Sequence, residues 1–276
     1  MAPCLLKFQS ENNDFIIEAG KQSKITTKYI VFLCQMKITD SIIQETENWV
    51  ALNKPACLLS IPDRKGTDIS LKVLLKEKYG DIFTVHRLDK ETSGLIVFAK
   101  NETAHKHLSL QFELRQTINI YQGLVIGSLM EKKGSINFPL TEHPALNGTM
   151  IVHRKGKESL TDYEVVEDFG IYSWLQFQIH TGRTHQIRVH MKETGHPVVC
   201  DTLYGDGKPV LVSSLKSKFK LSKDAEEEKP ILNRLALHAF QLTFKDTSGN
   251  LVELEAPLPK DIRATLQQLG KRKKGR

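Results

Sequence analysis

TVHRLDKETSGLIVFAK, residues 84–100, joins a knot of charge to an apolar run. His86, Arg87, Asp89, Lys90 and Glu91 stand together, and after Thr92, Ser93 and Gly94 the chain continues as Leu95-Ile96-Val97-Phe98-Ala99. That run has the length and residue types of a buried strand. Asp89, a short carboxylate, therefore sits between cations at the mouth of a rigid element. The residues alone leave two readings of it open. It is a surface or capping carboxylate paired with Arg87 or Lys90, or it is held ionised by a nearby cation and fixed by the strand, fit to act as nucleophile or base. Gly94 lets backbone or substrate approach closely.

Outward from this stretch, NWVALNKPACLLSIPD (48–63) reads as a strand, a Pro-marked turn and a second strand. DISLKVLLKEKYG (68–80) spaces Leu71, Leu74 and Leu75 as a helix does and ends on Gly80. TAHKHLSLQFELRQ (103–116) is the next helix, and NIYQGLVIG (119–127) returns to strand. YIVFLCQM (29–36) reads as a buried strand, 131–166 as turns and short strands, and 206–230 as a loop. LALHAFQLTFKD and LVELEAPLP predict a hairpin, followed by a terminal helix and the basic tail GKRKKGR. Strands outnumber helices and short turns join many of them, which predicts an α+β fold with a mainly antiparallel sheet.

Lys and Arg exceed Asp and Glu by 39 to 32, a net charge of +7 that suits a polyanionic partner without proving one. The four cysteines lie far apart without metal-ligand spacing, which suits a reduced, cytoplasmic protein. The N-terminus lacks the pattern of a signal peptide, and no apolar stretch reaches the ~20 residues of a membrane span.

The second stretch rich in chemistry is HTGRTHQIRVHMKETGHPVVCDTLYG (180–205), with Arg183, Arg188 and four histidines. His180, His185 and His190 are spaced five apart, neither a helical i,i+4 pair nor a same-face strand spacing, so a metal site is not expected. A hydrogen-bonding role for His185 and Gln186 fits better. The arginines suit phosphate binding, a carboxylate partner or a solvated surface, and composition does not choose among these.

HRLDKETSGLIVFAK resembles the HRLDxxTSG signature of the large-subunit-type (RluA) family of RNA pseudouridine synthases. TGRTHQIRVHM and GHPVVCDTLYG resemble its second signature, and NKPACLLSIPD, GKESLT and LALHAFQLTF…EAPLP match weaker blocks in order, so the likeness spans about residues 47–266. It implies the pseudouridine synthase fold: a mainly antiparallel mixed sheet with flanking helices around a central active-site cleft. It also implies an enzyme that breaks the bond between ribose and N1 of a uridine, rotates the base and rejoins it through C5, with no cofactor and no required metal. Asp89 matches the catalytic aspartate, Arg188 the basic residue that ion-pairs with it, and Tyr121 the tyrosine that stacks on the uracil and is a candidate to remove the C5 proton. Arg87 matches the arginine that enters the RNA helix as the target base flips out. Arg183, His185 and Gln186 complete the expected substrate contacts. Such an enzyme must extrude a stacked base and hold it on an aromatic platform.

Two positions depart from the family pattern. Asn119 stands where a lysine is usual, and Cys200 precedes Asp201 where glycine is usual. Residues 1–46 match no S4 RNA-binding pattern and are expected to be an extension, 47–268 the catalytic domain and 269–276 a basic tail. The expected protein is a monomer that acts on ribosomal or transfer RNA. The competing readings are a non-catalytic RNA-binding or ribosome-assembly protein that keeps the fold, and a metal-dependent hydrolase built on the histidines. An intact Asp89, Tyr121 and Arg188 argue against the first, and missing carboxylate ligands against the second.

Overall fold

The computed structural model describes residues 10–11, 14–15, 38–63, 68–216, 219–221 and 227–274. The chain divides between Ser41 and Ile42. In the first unit, β1 (Ser10–Glu11) pairs antiparallel with β2 (Asp14–Phe15). The strand expected over 29–36 lies outside the described residues.

The second unit starts with β3 (Ile42–Glu45) and β4 (Trp49–Lys54), so the expected N-terminal extension ends earlier than residue 46. Pro55 ends β4, but the second strand expected after it does not form; Leu59 makes a single bridge to Ser70. Helix α1 (Leu71–Tyr79) is capped by the Ser70 hydroxyl, and it ends at Gly80, φ 73°, as its sequence predicts. After β5 (Phe83–Thr84) comes β6 (Ser93–Ala99), in which all seven residues are buried. Asn101 caps α2 (Glu102–Glu113). Next come β7 (Ile118–Ile126), β8 (Lys133–Asn137), β9 (Leu140–Glu142), β10 (Met150–Val152), β11 (Leu160–Asp168) and β12 (Tyr172–Ile179). Helix α3 (Gln186–Glu193) and the single turn α4 (Val212–Leu215) precede the hairpin β13 (Leu237–Lys245) and β14 (Leu251–Glu255), and α5 (Lys260–Lys274) closes the chain.

Ten strands form one sheet in the order β3-β4-β6-β13-β7-β12-β11-β8, with β14 on β13 and β5 on β6. β9 and β10 pair separately as a small hairpin. Within the large sheet the β6–β13 pair is parallel and every other pairing is antiparallel, which bears out the α+β expectation. That parallel pair is short, Ser93 opposite His238 and Gly94 opposite Ala239. Gly94 makes it possible: its φ is 116°, and a Cβ there would meet the Ala239 carbonyl oxygen at 2.2 Å. One apolar cluster joins β4, β6, α2 and β13 through Trp49, Val97, Leu108 and Phe244. A larger one packs β7 and β12 against α3 and α5 through Leu124, Phe177, Met191 and Leu269.

The expected free tail at 269–276 is instead largely helical. Ile262, Thr265 and Leu269 recur at helical spacing on one buried face, and α5 runs on to Lys274. Lys273 pairs with Glu167 at 3.6 Å and lies over the Phe169 ring. Arg272 and Lys273 line a shallow depression with Ser128 and Gly170. Ser128 lies nine residues beyond Asn119 along β7 and its exit, roughly 30 Å away at strand rise.

Candidate active site

Residues 86–91 form a loop held rigid from three sides. The amide of Val97 donates to Nε2 of His86 at 3.0 Å, and the His86 ring stacks on Phe112 at 4.4 Å. Burial lowers the pKa of His86 to about 4, so the ring stays a neutral acceptor. The Ser60 hydroxyl donates to Leu88 O at 2.8 Å and accepts from Leu88 N at 3.0 Å. Lys54 is fully buried, and its ammonium donates to the carbonyls of Pro55, Leu58 and Lys90 at 2.9, 2.8 and 3.2 Å. Burial, opposed by nearby anions including Asp89, lowers that ammonium to about 7. Such bracing fixes the position of the side chain that the loop carries. Asp89, between the pinned residues Leu88 and Lys90, keeps 22% of its side chain exposed.

Asp89 opens into a cleft of about 570 Å³, lined also by Arg87, Thr92, Asn119, Tyr121 and the 179–188 segment. Tyr121 enters from β7, opposite Phe177 on β12 and Ala239 on β13. Burial, reinforced by the charge of Asp89, raises its phenol pKa well beyond the ordinary value, so the hydroxyl is neutral. The cleft thus brings together Asp89, Tyr121, Arg87, Arg183, His185, Gln186 and Arg188, residues drawn from segments about a hundred positions apart.

Their contacts correct two expectations. Arg188 does not ion-pair with Asp89. Its Nε and Nη2 donate to both carboxylate oxygens of Asp201, at 2.7 and 2.8 Å, in a nearly fully buried fork. Burial alone would raise the Asp201 carboxyl; Arg188 and the amides of Leu203 and Tyr204 outweigh it and hold the pKa below the ordinary value. Arg188 still acts on Asp89 as a nearby positive charge. Gln186 is likewise not free for substrate. It is buried, accepts from Thr181 Oγ1 and Arg183 N, and donates to Leu160 O and Thr161 Oγ1. All four of its hydrogen-bonding positions are used within the protein, which fixes the loop that carries Arg183.

His185 faces Asp89, with Nε2 4.0 Å from Oδ2. It occupies the left-handed position before α3, φ 55°. The histidines spaced five apart go separate ways: His180 to Asp162, His185 to Tyr204, and His190 to Thr161 and the Phe138 carbonyl. Among the described residues no group of three or more His, Cys, Asp or Glu could hold a metal. Arg87 reaches across the cleft to Thr184 Oγ1 at 3.2 Å, and Arg183 donates from Nε to the Glu158 carbonyl at 3.0 Å. Asn119, at the unusual position, bonds Thr117. Cys200 takes φ 60°, a left-handed backbone that suits the glycine usual there.

Sequence reasoning missed Lys54, Ser60 and Tyr204 as parts of this site. The signal for them lay in NKPACLLS and DTLYG, which read only as blocks resembling the family, with no partner assigned to their side chains.

The chain belongs to the RNA pseudouridylate synthase family, whose pattern matches residues 48–193. It is an isomerase acting on RNA. It is 32% identical over 277 residues to an uncharacterised RNA pseudouridine synthase of Synechocystis, covering 95% of this chain and 79% of the relative. It is 35% identical over 236 residues to the ribosomal large subunit pseudouridine synthase D of Haemophilus ducreyi, covering 83% and 70%. The solved structure of human RNA pseudouridylate synthase domain containing 1 superposes with a TM-score of 0.63 at 27% identity, covering 86% of this chain and 95% of that one. Among the described residues no helix is long and apolar enough to cross a membrane.

Proposed function

We propose that Asp89 is the reacting carboxylate of this pseudouridine synthase and that large-subunit ribosomal RNA is its substrate class. The observation that carries the first part is the bracing of the 86–91 loop by Ser60, Lys54 and the Val97 amide, which aims one carboxylate into the cleft. The second part rests on the named activity of relatives such as that of Haemophilus ducreyi.

The reaction breaks the N1–C1′ bond of a uridine, turns the base, forms a C5–C1′ bond, and moves one proton from C5 to N1. No redox step occurs. The base must first leave the stack, and the neutral ring of Tyr121 offers it a platform worth about 1–3 kcal/mol. A neutral phenol is a weak base, but its oxygen can accept the C5 proton while its own proton passes, by way of Asp89, to N1 of the turned base, which returns Asp89 to its carboxylate form. Arg87 and Arg183 at the cleft mouth bind phosphates, with Arg87 leaving Thr184 to fill the gap in the helix. Arg188, buried against Asp201, supplies fixed positive charge near Asp89 without neutralising it by direct contact. Cys200 and Asn119, where the family pattern differs, make no hydrogen bond to Asp89 or Tyr121 among the described residues, and of the two only Asn119 lines the cleft.

The test is pseudouridine mapping on 23S-type ribosomal RNA and bulk transfer RNA incubated with the purified protein. New pseudouridine in the large-subunit RNA supports the substrate class. Product confined to transfer RNA overturns it while leaving the chemistry intact.

A further inference from the structure

Tyr204 touches three parts of the site at once. Its ring lies 5.0 Å from the Arg188 guanidinium carbon, and its amide donates to Asp201 Oδ1 at 3.0 Å. Its hydroxyl oxygen accepts the amide of Met150, at the start of β10, at 2.8 Å. The same oxygen lies 2.8 Å from Nδ1 of His185, whose Nε2 faces Asp89.

Counting protons assigns the tautomer. A phenol has one hydrogen to give. The Met150 amide already donates to the oxygen, and among the described residues Nδ1 of His185 is the acceptor in reach. The opposite assignment, Nδ1–H donating to Tyr204, would leave a buried phenol hydrogen without an acceptor, which native interiors avoid. A neutral imidazole that accepts at Nδ1 carries its proton on Nε2.

We infer that Tyr204 is a positioning residue that locks His185 in the Nε2–H tautomer, so that a neutral donor rather than a cation faces Asp89 and the base held beside it. The inference rests on Asp89 being the reacting carboxylate. A protonated His185 would ion-pair with Asp89 and draw off its charge; a neutral N–H can donate to a uracil or ribose oxygen at no such cost. At 4.0 Å the His185–Asp89 contact is longer than a hydrogen bond, which leaves Nε2–H available to substrate. The charged and titratable groups around the ring are Asp89 and Arg87 from the catalytic loop, Arg188 from α3, and Asp201 and Tyr204 from the turn after it. Burial lowers the imidazole pKa most; Asp89 and Asp201 oppose it, Arg188 and Arg87 reinforce it, and the balance favours the neutral ring.

The test uses the full chain with 15N-labelled histidine. In the wild type, the His185 ring nitrogens should report protonation at Nε2 alone near neutral pH. Tyr204→Phe keeps the ring against Arg188 and removes the hydroxyl. It should give a tautomer mixture, about a tenfold lower turnover at saturating RNA, an acid limb of the pH–rate profile moved to higher pH, and unchanged RNA affinity. Melting temperature is measured on the same samples. Should the Phe variant not fold, His185→Gln and His185→Asn replace it. Gln places an N–H where Nε2–H lies and Asn does not, so Gln should turn over faster. A single Nε2–H tautomer with wild-type turnover in Tyr204→Phe, or equal turnover of the Gln and Asn variants, overturns the inference. Failure of the Asp89 assignment is distinguishable, because the nitrogen spectrum is read without turnover.

Discussion

Arg188 spends its fork on Asp201 and makes no ion pair with Asp89. The two carboxylates near this guanidinium therefore differ: Asp201 holds the cation in a bidentate pair, and Asp89 lies outside that pair. Removing one partner of a buried pair leaves the other uncompensated, which costs about 3–5 kcal/mol. Asp201→Asn should lose stability on that scale at neutral pH. The folded pKa of Asp201 lies below its ordinary value, so the carboxylate's contribution is fully present above the unfolded pKa of ~3.9 and is lost as pH falls through the lower folded value. Denaturant unfolding of wild type and variant at several pH values checks this. The gap between them should hold from neutral pH down to about pH 5 and close below about pH 4. Parallel curves throughout would remove the ion pair from the account.

Gly94 carries the junction between the two antiparallel halves of the sheet. A methyl group there meets backbone, not a flexible side chain, and the backbone angle is one that L-residues rarely adopt. Gly94→Ala should cost on the order of 3 kcal/mol or more and lower the melting temperature clearly. A variant as stable as wild type would mean that β6 and β13 do not approach as described.

Tyr121 has a neutral hydroxyl beside an anion. Tyr121→Phe keeps the stacking face, so RNA affinity should persist while turnover falls by about 100-fold or more. The wild-type rate should not climb with pH between about pH 6 and 9, as it would if a phenolate were the base. Unchanged turnover in the Phe variant would reduce Tyr121 to a platform.

The basic excess is divided between distant places. Arg87 and Arg183 line the cleft, whereas Arg272 and Lys273 line the depression near Phe169. Losing a phosphate contact flattens the slope of log K against log salt by roughly 0.7–0.9. Arg87→Ala and Arg183→Ala should each do so, and deletion of residues 271–276 should not. A flatter slope in the deletion would bring the C-terminal helix into the RNA interface.

What could be read from the chain tracks how local the cause is. HRLDKETSG places Asp89 at the mouth of β6 because the apolar run and the glycine stand beside it in sequence. The helix at 71–79 announces itself by its Leu spacing and by the glycine that ends it. The Arg188 partner was not legible, since Asp201 returns to it only through a turn in which Cys200 adopts a left-handed backbone. Gln186 looks like a substrate contact until its four protein partners are known. The terminal helix was legible, but the run of C-terminal charges hid that it continues to Lys274.

The central claim is that Asp89 is required for the chemistry and not for RNA binding. Asp89→Asn keeps the size and removes the charge. Single-turnover pseudouridine formation, measured beside RNA affinity for both proteins, tests this most directly. The account predicts wild-type affinity and no detectable product from the Asn variant. Turnover near the wild-type rate would contradict it.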